Sequence, residues 1–165
     1  MKNIHESSAN DLRGQANKID FVLDEKINET IKKCIQLENN LTECLRSISK
    51  TEELLDKINN NVRNFDRAMK LTQTCLNERQ RRESVENCRD IPQMGLIDSG
   101  KILAENVTNI LGQKANAEDV LDKLIKSRKE IESELIIRKN TLNIDRDRCV
   151  SIRSHYPSVQ CLAGY

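Results

Sequence analysis

Apolar residues return every seven positions through the first half of the chain. One core position reads Ile27, Cys34, Leu41, Ile48, Leu55, Val62, Met69 and Leu76; the other reads Leu23, Thr30, Leu37, Cys44, Thr51, Ile58, Phe65 and Thr72. A stripe with that period keeps one face of a long helix turned toward a neighbour, so the pattern predicts helices packed lengthwise. The helical pattern begins near Asn10 or Asp11, either of which can cap a first turn, and residues 1–9 read as a flexible N-terminus. Asn59-Asn60-Asn61 is the natural place to interrupt the seam, because asparagine competes for backbone hydrogen bonds and tolerates left-handed geometry. The rival is one uninterrupted helix as far as Leu76.

A reversal at the asparagines predicts a second helix over residues 62–89, ended by Asp90-Ile91-Pro92-Gln93-Met94-Gly95. Asp98 or Ser99 then caps the next element, with a core of Leu103, Val107 and Ile110 and with Leu111 as a further candidate. Gly112 to Asn116 is either a weak point before a fresh helix or the interior of one helix running from 99 to 148. The later seam is Val120, Leu121, Leu124, Ile131, Leu135 and Leu142. The expected fold class is all-α: an elongated antiparallel bundle of three or four long helices, with the bundle at 10–150 and a C-terminal loop at 151–165.

Composition narrows the class. Hydrophobic content of 37% with two Phe, two Tyr and no Trp suits narrow aliphatic seams, not a thick core. The 27 basic and 26 acidic side chains leave a formal charge of +1, so no global field steers the chain to nucleic acid or an anionic surface. Local clusters at Arg79, Arg81 and Arg82 and at Lys126, Arg128 and Lys129 stand beside acids and read as solvated helix faces. No stretch approaches the roughly 20 apolar residues that a membrane span needs.

Six cysteines, Cys34, Cys44, Cys75, Cys88, Cys149 and Cys161, form no C-x-x-C pair, and His5 and His155 are the only histidines, so zinc-site spacing is missing. An even count in a thin helical chain points to disulfides and an oxidising compartment. Reversal near residue 60 would make Cys44–Cys75 and Cys34–Cys88 rungs between antiparallel helices, among fourteen other connectivities for the six, and Cys149–Cys161 would staple the terminal loop. Asn28, Asn40 and Asn106 head N-x-S/T triplets and are glycosylation candidates in a secreted chain. The start is polar, so secretion implies a mature form without its signal peptide.

No nucleophile, base and orienter assemble from these residues, and the phosphate-loop, paired-carboxylate and di-iron patterns are missing, so no catalytic residue, cofactor or metal is expected. His155 beside Tyr156 and Cys161 reads as a solvated loop histidine. Two functions remain. One is an extracellular interaction or structural protein that contacts another protein or its own copies. The other is a carrier of a small apolar ligand in a bundle cavity, loosened by Thr30, Thr51 and Thr72. The cysteines at 34, 44, 75, 88, 149 and 161, in an aliphatic, aromatic-poor helical chain with sequons, resemble the TsetseEP-like domain of small secreted insect proteins. That resemblance implies an extracellular insect protein with no enzymatic role. The acidic Glu-Pro repeat tail of the founding type has no counterpart here.

Overall fold

The structure, a computed structural model, describes residues 2–82 and 90–155. Among them the chain is all-α and 97% helical, with no strand. Helix α1 spans Lys2–Gln80 and helix α2 spans Ile91–Asn143; a π-helical turn, Ile144–Cys149, then leads into the short α3, Val150–Ser154. Two long helices therefore take the place of the three or four expected. Residues 2–9, expected to fray, belong to α1.

All sixteen heptad positions read from the sequence on α1 are buried or half-buried, from Leu23 to Leu76. The seam explains why the expected break at Asn59-Asn60-Asn61 does not occur. Asparagine costs a helix roughly 0.7 kcal/mol per residue, whereas Ile58, Val62 and Phe65 continue the buried stripe without a skip. Local propensity loses to packing. The three seam threonines fit by bonding backward: the hydroxyls of Thr30, Thr51 and Thr72 donate to the carbonyls of Lys26, Ser47 and Ala68 at 2.8, 2.9 and 3.0 Å. That satisfies the oxygen within its own helix and leaves the methyl for the seam, so Thr30 is only 3% exposed.

Helix α2 starts earlier than expected. Pro92 lies in its first turn, where the missing N–H would have no intrahelical partner in any case, so proline opens the helix instead of ending the previous one. Asp90 caps it, its Oδ1 accepting from the Gln93 N–H at 3.0 Å. The Met94 N–H bonds to the Asp90 carbonyl at 3.2 Å. Gly112 to Asn116 is helical throughout, which settles the choice between a break and one helix in favour of one helix.

The chain divides into two compact units. The first combines Met1–Cys44 with Ser127–Tyr165; within it the segments run antiparallel, Glu38 meeting Lys139 at 2.8 Å and Asp20 meeting Arg153 at 2.7 Å. The second, Leu45–Lys126, holds the chain reversal. There Arg79 bonds to Gln93 at 2.9 Å, and a Cβ added at Gly100 would stand 3.8 Å from the Thr72 methyl, again an antiparallel arrangement.

The disulfide staple is corrected. None of the four described cysteines is in a disulfide. Cys44 and Cys75 stand on the same helix, many turns apart at ~1.5 Å of rise per residue, far beyond the few ångströms that the bond spans. Cys34 and Cys44 instead pack in the seam as small apolar side chains. Cys88 and Cys161, and with them the other two expected pairings and most of the expected terminal loop, lie outside the described residues.

Ile48 and Leu45 separate seam from flank. Ile48→Ala, at a position 8% exposed, is expected to lower the unfolding free energy by about 2 kcal/mol. Leu45→Ala, at 45% exposure, should stay within about 0.5 kcal/mol. Urea unfolding followed by circular dichroism measures both, and equal losses would contradict the placement of the seam.

Candidate functional site

Along α2 and the π-helical turn after it the inward positions alternate three and four apart without interruption: Gln93, Leu96, Gly100, Leu103, Val107, Ile110, Lys114, Ala117, Leu121, Leu124, Arg128, Ile131, Leu135, Arg138 and Leu142 on α2, then Asp145 and Cys149 in the turn. Several are polar. Lys114 leans to Glu118 at 3.7 Å and Arg138 to Glu134 at 3.2 Å, so each of these charges reaches the rim while its aliphatic stem stays at the seam; Arg128 stands 3.4 Å from Glu132 through an Nε that is itself buried. Leu111 and Val120, read from sequence as core, are exposed on the flanks.

What the seams leave outside is the more distinctive surface. No described side chain is completely buried, and many large apolar residues face outward. In the first unit these include Leu12, Ile19, Phe21 and Val22 on α1 and Ile136 and Ile137 on α2, Phe21 being 70% exposed and the two isoleucines 61% and 64%. In the second they include Leu54 and Leu71 on α1 and Met94, Ile102, Leu111 and Val120 on α2. An apolar cleft of about 390 Å³ in the first unit is lined by Lys18, Ile19, Val22, Leu23, Lys26 and Asp145.

Between these residues lie ion pairs that hold outer faces in order. Glu29 accepts from Lys33 at 2.7 Å and from Lys26 at 3.0 Å, and these hydrogen bonds hold its carboxyl down at about 2. The bond from Arg153 lowers the Asp20 carboxyl, and the Gln93 N–H followed by Arg79 lowers that of Asp90. Arg79 joins the chain reversal by pairing with Asp90 while donating to Gln93. The basic clusters are partly spent the same way, Arg81 pairing with Glu78 at 2.9 Å.

The structure brings none of the sequence-derived chemical candidates into a catalytic arrangement among the described residues. His5 is exposed, and His155 is exposed at the end of α3 with Nδ1 2.7 Å from the Ser151 carbonyl; Tyr156 and Cys161 lie outside the described residues. No group of His, Cys, Asp or Glu among the described residues converges to hold a metal ion, and no described helix is long and apolar enough to cross a membrane. Asn28, Asn40 and Asn106 are exposed on helices. Sequence reasoning read Asp90 and Gln93 as a helix end and Arg79 as part of a solvated face, and it overlooked Arg153. Asp90-x-x-Gln93 has the form of a capping box and was a usable signal; Arg153 carried none.

Comparison with known proteins finds a match to the Tektin family model over residues 1–157. Tektin-4 of Bos taurus is 31% identical over 98% of this chain, Tektin-4 of Mus musculus 29% over 96%, and Tektin-4 of Homo sapiens 27% over 96%. The chain spans about a third of the length of these curated relatives, 36% of the bovine protein. These matches replace the resemblance to TsetseEP-like proteins, which rested on the cysteines, the aromatic-poor helical composition and the sequons. They also overturn secretion, and with it the disulfide, glycoprotein and insect assignments, because the family they match is the Tektin family.

Glu29 gives a pH signature. Its ordinary value of 4.5 applies to the unfolded chain and about 2 to the folded one, so protons favour the unfolded state between those limits. Its contribution is complete above pH 4.5 and is lost as pH falls through about 2. Glu29→Gln should flatten the decline of the melting temperature over that window at low salt, with less difference at high salt. An unchanged acid limb at low salt would contradict the pairing.

Proposed function

We propose, because the chain belongs to the tektin family, that it is a structural, non-enzymatic component of a cytoskeletal filament in cilia or flagella. On this reading it associates with further copies of itself or with related helical chains. The role is proposed for this stretch; the activities and partners of the whole relatives extend over a length that it only partly covers.

One observation carries the reading: large apolar side chains remain outside seams that already hold a full heptad register. A helix pair whose inward face is complete gains nothing within itself from Ile136, Ile137, Phe21 or Leu71 on the outside. Burying such side chains against a neighbour is favourable by roughly 25 cal/mol per Å² of apolar surface, before the costs of association. Exposed aliphatic patches rimmed by charge have the composition of a protein contact. The alternation with ion pairs such as Lys57–Glu53 and Lys123–Asp119, at 2.7 and 2.6 Å, would give a contact register as well as affinity.

Carriage of a small apolar ligand has less support. The half-buried layers are filled by side chains from Leu37 to Cys149, and the cleft beside Ile19 and Val22 is open to solvent. A structural role also accords with the dispersed histidines and paired acids, which offer no general base beside a nucleophile.

Sedimentation velocity across a concentration series tests the proposal. The unsubstituted chain is expected to self-associate, and Ile136→Glu with Ile137→Glu should weaken that association by at least about tenfold while leaving the helical circular dichroism intact. Lys129→Glu, on an exposed charged position, is the control and should change it little. A chain that stays monomeric throughout, or a double variant that associates unchanged, would sink the proposal.

A further inference from the structure

The inward register of α2 breaks once, in the first unit. Through Leu142, Asp145 and Cys149 the steps alternate three and four, so the next inward residue of a continuing α-helix is Ile152. Instead Ile152 is 66% exposed, and Arg153 occupies the inward position with its side chain 19% exposed. The π-helical turn lies immediately before this slip: the Val150 N–H bonds to the Asp145 carbonyl, five residues back. One additional residue per turn carries the helix face forward by one position. Arg153 is then aimed at α1, where Nε bonds Asp20 at 2.7 Å and Nη2 donates to the Ala16 carbonyl at 3.0 Å.

We propose that the turn at Ile144–Cys149 is a two-position switch, held in its π form by Arg153 on Ala16 and Asp20, and that its α form exchanges Ile152 for Arg153 at the seam. Both forms place a side chain able to meet α1, one by charge-assisted hydrogen bonds and the other by apolar burial. The alternatives are mutually exclusive, because neighbouring residues stand about 100° apart around a helix. Each leaves a different surface for a neighbouring molecule. The π form presents the isoleucine beside Ile144 and Val150, which are also exposed; the α form withdraws it and presents the guanidinium. The switch thus sets whether this end of the first unit offers an aliphatic or a cationic contact, whatever the neighbour. That consequence is independent of filament membership.

The test places a thiol at position 152 by Ile152→Cys in the full chain and follows its maleimide labelling by peptide mass spectrometry, which scores the native cysteines separately. Labelling should be fast with Arg153 present. Adding Arg153→Ala should slow it at least about tenfold, as the α form becomes the populated state. Deleting Asp147, an exposed residue of the π turn, removes the extra residue itself, so a continuous α-helix keeps position 153 inward; in that chain Arg153→Ala should leave labelling fast. Loss of fold or fraying accelerates labelling and so cannot imitate the expected result. Labelling that Arg153→Ala leaves unchanged or speeds in the full chain, or that it slows in the chain without Asp147, overturns the switch. The self-association experiment reads Ile136 and Ile137 and fails or succeeds separately.

Discussion

A helix set against one neighbour can bury only a stripe, and the repeat of seven decides which stripe stays turned inward over a long run. Everything else in this molecule is arranged around that limit. Aromatic side chains are scarce because a narrow seam has no thickness to fill. Threonine is accepted at three seam positions because its hydroxyl is satisfied by the preceding turn. Lysine and arginine are accepted on α2 because the rim, one side-chain length away, is wet and carries a glutamate. The same limit leaves aliphatic residues over, and those leftovers are the surface available for assembly.

Much of α1 was legible because its seam positions are apolar or threonine throughout, so period and burial coincide from Leu23 to Leu76. The expected break at the three asparagines failed for a physical reason: propensity is a local preference, and a continuous seam outweighs it. On α2 the same period was hidden, since Gln93, Lys114, Arg128 and Arg138 occupy inward positions, as Asp145 does in the π turn, and erase the apolar signal without erasing the geometry. Cysteine misled most. An inward, apolar site suits a buried thiol as well as a bridge, and the structure shows Cys34 and Cys44 as seam residues. The compartment inferred from a bridge went with it. The candidate surface was invisible because exposed aliphatic residues have no period of their own; only knowing which positions the seam uses reveals which are left over.

The charged groups divide into two kinds. Pairs along one helix, such as Lys57 with Glu53, lie in solvent and contribute little, their value being order on an outer face. Pairs that join different elements, Lys139 with Glu38, Arg153 with Asp20 and Arg79 with Asp90, fix how neighbouring segments stand along each other within a unit. Aliphatic layers alone are permissive about sliding by a heptad, since one leucine resembles the next. Directed charge pairs are not, and that is why they can specify register where the seam supplies adhesion.

The half-wet character of the seam bears on how such a chain can change over generations. With no described side chain completely enclosed, each layer within a unit meets chiefly the layers one step above and below it. Substitutions several turns apart then share no partners, and their costs add instead of compounding. A lineage can therefore replace outer residues freely and inner ones singly, provided the interval of seven is kept. Insertions and deletions are the costly events, because a single residue gained or lost re-aims every layer beyond it until a turn such as Ile144–Cys149 absorbs the difference. Length, more than identity, is the heritable constraint.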